Sequence, residues 1–388
     1  MDVYLDNSAT TRCDGRVAQK VLEMMTQCYG NPSSLHHKGL QAELELRGAR
    51  RELAAALGAQ EQEIFFTSGG TEANNLALFG IPGAYPRGGR KIVTTAFEHS
   101  SVYESAKELE RRGWQVVFVP PDSQGKLDAQ AVADAVDEDT VLLSVMLVNN
   151  EVGTIAPLGR ISTLARRKNP KLIIHTDAVQ AFGKMPVSVA KLGVDLLTLS
   201  GHKIYAPKGV GALYVRRGVR LAPLFFGGEQ QGKLRPGTES APLIAGLGLA
   251  SRLCRQEMAR HTQTVQALYS ACVEQLADIP GVVFNSPVED SLHYVLNFSL
   301  PGVRSETMLH FLEAREIYVS SGSACAKGQK SRVLESMKLP QGRIDSAIRV
   351  SFSPQNTRKD IQALAEGVRE AGETLARTTR RGLPNRRA

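Results

Sequence analysis

Two kinds of pattern alternate along the chain. Short apolar runs rich in β-branched residues occur at 91–97 (KIVTTAF), 140–148 (TVLLSVMLV), 171–179 (KLIIHTDAV), 194–200 (VDLLTLS) and 210–215 (VGALYV). Each is short for a helix and too apolar for an exposed strand, so each predicts a buried strand. Helical periodicity lies between them. Residues 14–30 run from Asp14 as a cap through Val17, Val21, Met24 and Cys28 to Gly30, which predicts a helix with a start and a stop. Strands alternating with helices predict a large α/β domain, its strands parallel and joined by crossover helices. From about residue 250 the pattern changes. A long amphipathic stretch precedes 293–300 (HYVLNFSL), and 347–353 (AIRVSFS) precedes a helical segment at 357–376, which predicts a smaller α+β domain.

Composition adds mostly exclusions. With 42% hydrophobic and 22% charged residues among 388, the chain reads as an ordinary globular protein. The N-terminal residues lack a basic region followed by an apolar one, and no apolar run is long enough to span a bilayer, so a cytoplasmic location without membrane contact is expected. Five cysteines, at 13, 28, 254, 272 and 325, are odd in number and form no close pair. That argues against a disulfide framework and against a metal site. The net charge of +8 is weighted by arginines in the acid-free stretch 377–388, read as a flexible basic tail, so direct nucleic-acid binding is not expected.

The chemistry collects where strands end, which is where open α/β sheets bind ligands. After the apolar residues 64–66 comes TSGGTEANN (67–75), a glycine pair before a helix start. Unpaired N–H groups at such a start suit a phosphate, although Gly-Gly there is equally often a plain turn. Asp177 ends another run, with Gln180 three residues on. The acid would suit a protonated pyridine nitrogen or would serve as a helix cap. A third run ends in SGHK (200–203), where Ser200 and His202 can donate to a phosphate and Lys203 can form an imine. Desolvation at the mouth of the core would make that lysine a usable nucleophile and base. A phosphate site, an acid for a ring nitrogen and an imine-forming lysine together describe a site for pyridoxal 5'-phosphate (PLP).

The order of motifs is then specific. YLDNSATT (4–11), YGNPSSLHHKG (29–39), TSGGTEANN, EHSSV (98–102), VNNEVGT (148–154), HTDAVQAFGK (175–184), SGHK, RPGTES (235–240), SSGSAC (320–325) and IRVSF (348–352) cover nearly the whole chain. The sequence resembles the class-V aminotransferase family, and within it the cysteine desulfurases of the NifS/IscS type. The resemblance implies PLP-dependent transferase fold type I, with a large PLP-binding domain over 14–250 and a small domain over 1–13 and 251–376. It implies a homodimer that turns L-cysteine into L-alanine and passes the sulfur on, as an enzyme persulfide, to an iron–sulfur scaffold protein or to a tRNA- or thiamine-thiolation protein.

The same resemblance distributes roles. Lys203 would carry the cofactor, Asp177 would pair with its ring nitrogen, Gln180 would bond its phenolic oxygen, and His99 would stack on the ring and assist proton transfer. Gly70, Thr71, Ser200 and His202 would hold the phosphate, with Thr238 reaching the phosphate in the neighbouring subunit. Arg349 would bind the substrate carboxylate, and Asn150 would touch cofactor and substrate. Cys325, set among small residues in SSGSACAKG, would be the sulfur carrier, its thiolate favoured by Lys327 and Lys330. Two features depart from the family pattern. Gly70 stands where alanine is more usual, and the segment after Cys325 is not the commoner longer loop. An aminotransferase, kynureninase or selenocysteine lyase of this fold would not need SSGSAC, and a non-catalytic sulfur relay would not need Lys203, Asp177 and His99 together.

Overall fold

The computed structural model describes residues 2–86, 89–322 and 330–381. Its strands are β1 (Val3–Tyr4), β2 (Ile64–Thr67), β3 (Lys91–Thr95), β4 (Gln115–Val119), β5 (Thr140–Ser144), β6 (Ile173–Asp177), β7 (Leu196–Ser200), β8 (Gly211–Val215), β9 (Val283–Phe284), β10 (Val295–Ser299), β11 (Ile317–Tyr318) and β12 (Ala347–Ser351). Seven of them form one sheet in the order β2-β8-β7-β6-β5-β3-β4. Every residue of β3, β5, β6, β7 and β8 is buried, which is why apolar residues stand side by side in them instead of alternating with exposed polar ones, most of the polar residues gathering toward the strand ends.

From β4 across to β7 the neighbours are parallel, as expected. The strand β8 is not: it runs antiparallel to both β7 and β2. The segment from 201 to 210 holds one 3-10 turn, Gly201–Lys203, and no crossover helix, so the chain can only double back. The apolar run of VGALYV announces burial but carries no direction.

The first helix, Gly15–Thr26, is capped as predicted by Asp14, whose carboxylate accepts from the Arg16 N–H. It stops short of Gly30. A side chain at Gly30 would overlap the Lys38 carbonyl, so this glycine permits a close crossing of two segments rather than a helix stop. A 37-residue helix, Ala241–Ala277, runs through the position near 250 where the domain boundary was expected. It lies between Gly15–Thr26 and the helix His37–Leu57. A Cβ on Gly246 would come 2.8 Å from Val21 Cγ2, and one on Gly248 would come 2.6 Å from Ala49 Cβ. Glycines two apart point to different sides of a helix, so one face meets each neighbour.

A three-stranded antiparallel sheet, β12-β10-β9, and the parallel pair β1-β11 complete the chain's C-terminal part. The N-terminal segment ties this sheet to the large one. Ser351 N–H donates to Leu5 O at 2.7 Å, and Asn7 Nδ2 donates to Ser351 O at 2.9 Å. A few residues on, Thr11 N–H donates to His202 O, and Tyr205 N–H donates to Thr11 Oγ1. The last helix spans Arg358–Arg381 and so enters the stretch read as a tail. Among the described residues no helix is long and apolar enough to cross a membrane.

Candidate active site

A cavity of about 210 Å³ opens at the carboxyl ends of β6 and β7, roofed by the N-terminal segment and by β12. Of the residues given cofactor or substrate roles above, all line it except Thr238 and the expected sulfur carrier Cys325. Thr238 is exposed, on the loop before Ala241, and Cys325 lies outside the described residues.

One wall is built for an anion. The helix Gly70–Ala84 starts at the cavity, and its N-cap, Gly69, has no side chain with which to satisfy the first N–H groups. Ser200 Oγ and His202 Nδ1 are buried there without hydrogen-bond partners. Burial, reinforced by Lys203, pushes the His202 imidazole down to about 4, so the ring is neutral near pH 7 and can donate one N–H. Buried polar groups rarely go unpaired unless a ligand completes them. An oxyanion would pair every one of these groups.

The floor carries the charges. Asp177, the last residue of β6, accepts from Asn74 Nδ2 at 2.8 Å and from the Val179 N–H at 2.9 Å. The carboxylate therefore caps the turn that follows it, which is not a helix, while also lining the cavity. Gln180 donates through Nε2 to Ser8 O at 3.0 Å and accepts at Oε1 from Lys184 Nζ at 2.8 Å. Lys203 Nζ donates to Ser8 O and, at 2.7 Å, to Ala9 O. His99 caps the helix Ser100–Arg111: its Nδ1 meets Ser101 Oγ at 2.8 Å and accepts from Ser101 N–H. Burial holds its pKa below the usual histidine value, against the pull of Asp177.

Arg349, on β12, reaches the cavity from the small sheet. It is 1% exposed, donates through Nη2 to Asp6 Oδ1 at 2.9 Å and through Nη1 to Asn150 O at 3.0 Å, and has Nε unpaired. Its burial excludes a position on an exposed face of the strand. Asn150 keeps Oδ1 buried and unpartnered. Its turn is set by the preceding Asn149, whose Oδ1 accepts from the N–H groups of Glu151 and Val152.

Several residues here were not singled out by sequence. Glu98, next to His99, is fully buried; Oε1 accepts from Thr95 Oγ1 and Met146 N–H, and burial pushes its carboxyl up to about 8. Asp6, Asn74 and Lys184 act as partners to Arg349, Asp177 and Gln180. All four stand in quoted motifs, but a charged letter does not reveal its burial.

The class-V aminotransferase profile matches residues 3–364. The chain belongs to the class-V aminotransferase family. Among other members of that family, it is 40% identical over 96% of its length to the cysteine desulfurase IscS of Methanosarcina thermophila, covering 92% of that protein. It is 42% identical, also over 96%, to the putative cysteine desulfurase IscS 1 of Bacillus subtilis (strain 168), covering 99% of it. A solved NifS-like protein superposes with a TM-score of 0.92 at 37% identity, over 97% of this chain and 100% of that one. The class-V fold, PLP fold type I with its mostly parallel sheet between helices, is thus the fold of this chain.

Proposed function

We propose that this protein is a PLP-dependent cysteine desulfurase. The observation that carries the reading is the convergence of Lys203, Asp177 and Arg349 on one cavity whose orphaned donors fit a phosphate. The phosphate would sit on the start of the Gly70–Ala84 helix with Ser200 and His202. Asp177 would hold the ring nitrogen, Gln180 the phenolic oxygen, His99 a ring face, and Lys203 the cofactor itself. When bound, the cofactor supplies an electron sink for charge developing at the substrate α-carbon.

The remaining work falls to side chains. Arg349 would clamp the carboxylate of L-cysteine, with Asn150 beside it. His99 Nδ1 accepts from Ser101 N–H, so in the neutral ring that burial favours the proton sits on Nε2, which acts first as an N–H donor and as a base only once that proton has been passed on. A thiolate of Cys325 would then take the sulfur: cysteine and the enzyme thiol give alanine and the enzyme persulfide, with atoms balanced. Burial favours this choice by weakening the competitors. It raises the pKa values of the Cys13, Cys28 and Cys272 thiols and pushes Cys254 up to about 12. The persulfide sulfur would pass to an iron–sulfur scaffold or a thiolation protein.

We also infer a homodimer. Leu22, Met25, Leu40 and Leu44 are about half exposed on the two N-terminal helices, Leu35 is fully exposed between them, and Phe226 is 89% exposed on the loop leading to Thr238. So much exposed apolar area fits a second copy better than solvent. Thr238 would then reach a phosphate in the partner's cavity.

The test is direct. After incubation with L-cysteine without reductant, the peptide carrying Cys325 should gain one sulfur atom, and alanine should accumulate on adding an acceptor thiol. Lys203→Ala should abolish both. Persulfide mainly on another cysteine, or unchanged alanine release by Lys203→Ala, would refute the assignment.

A further inference from the structure

Lys184 is a buried lysine to which the proposed mechanism gives no task. It is 3% exposed, and among the described residues no carboxylate pairs with it. The groups facing it from the surrounding elements are Lys203 after β7, Arg349 on β12, the Cys254 thiol on Ala241–Ala277, and the ring of Tyr294 just before β10, 5.7 Å from Nζ. Two of these are cations, so the site is costly for an ammonium. Burial accordingly pushes Lys184 down to about 7. The hydrogen bond that Nζ makes is to Gln180 Oε1, at 2.8 Å.

That bond, together with the donation from Nε2 to Ser8 O, decides which way the Gln180 amide faces. An amide can turn over with little change of shape, exchanging its acceptor for its donors. With Oε1 drawn to the lysine, Nε2 is left toward Ser8 O and the cavity. The cavity therefore meets a donor at this point, and a donor whose own oxygen accepts from the lysine is polarised further, most strongly below about pH 7 where the amine is an ammonium.

We propose that Lys184 is a positioning residue that locks the Gln180 amide with its NH2 toward the cavity, strengthening it as a donor to an acceptor oxygen on the bound ring. The proposal rests on the PLP reading. A stronger donor stabilises the anionic form of that oxygen, so the lysine lowers the pH at which the bound chromophore loses its proton.

The readout is the pH titration of the visible absorbance of the holoenzyme, which a merely structural role would not move. Lys184→Met should raise the midpoint by about one pH unit, a tenfold change in proton affinity. Lys184→Gln, a milder replacement, should raise it in the same direction. Gln180→Leu should raise it similarly, and the double variant Lys184→Met/Gln180→Leu should go no further than Gln180→Leu alone. An unmoved midpoint in both lysine variants, or shifts that add fully in the double variant, would overturn the proposal. Wild-type protein that takes up PLP without a visible band would overturn the PLP reading and this proposal together. A normal wild-type band whose midpoint ignores Lys184 would overturn this proposal alone.

Discussion

At the scale of single residues, the site is governed by charges withheld from water. Arg349 divides its guanidinium between Asp6 and the Asn150 carbonyl, and its unpaired Nε marks capacity left for a ligand. An ammonium has no planar fork, so Arg349→Lys would keep the charge and lose the two-point grip. A charged hydrogen bond is worth about 1.5–3 kcal/mol, which at about 1.4 kcal/mol per decade predicts a rise of roughly 10- to 100-fold in KM for L-cysteine. Cofactor occupancy should stay unchanged by absorbance. A wild-type KM in this variant would remove Arg349 from substrate binding. The family resemblance made this arginine legible, since the apolar flanks Ile348 and Val350 alone leave a strand arginine free to face solvent. Lys184 was not legible: it follows a glycine in a motif whose other letters drew the attention, and nothing local separates a buried lysine from a solvated one. Glu98 was hidden in the same way beside His99.

At the scale of elements, burial is written in composition and direction is not. The runs that became β3, β5, β6 and β7 could be read because a strand covered on both faces has no polar side. The reversal at β8 could not, since it depends on the length and turn of the segment after Lys203. The helix Ala241–Ala277 carries a subtler signal. Gly246 and Gly248 cost helix propensity of up to about 1 kcal/mol each, an expense that makes sense only where neighbours come close. Gly248→Ala tests this. The propensity gain favours the variant by up to about 1 kcal/mol, whereas pressing a methyl group against Ala49 costs about 1–3 kcal/mol. The clash should win, lowering the denaturation midpoint without changing the slope. A midpoint at or above that of the wild type would mean the two helices separate easily.

At the scale of the whole molecule, the exposed apolar faces and the outlying Thr238 lead to a test of shared sites. In a dimer that exchanges Thr238, mixing a Lys203→Ala chain with a Thr238→Val chain leaves one cavity with both residues intact and one with neither. The mixed dimer should bind one equivalent of PLP covalently with wild-type affinity. Affinity no better than that of the Thr238→Val homodimer would place Thr238 outside the partner's site. The strap from residues 5–11, which joins Ser351 to His202, has a consequence in time. On the ribosome, residues 5–11 emerge long before β12, so the roof over the cavity is missing until β12 has been made. A nascent chain already holds Lys203 and Asp177 but has no Arg349 for Asp6 to meet. In the proposed desulfurase, chemistry on free cysteine would thereby be deferred until β12 has emerged.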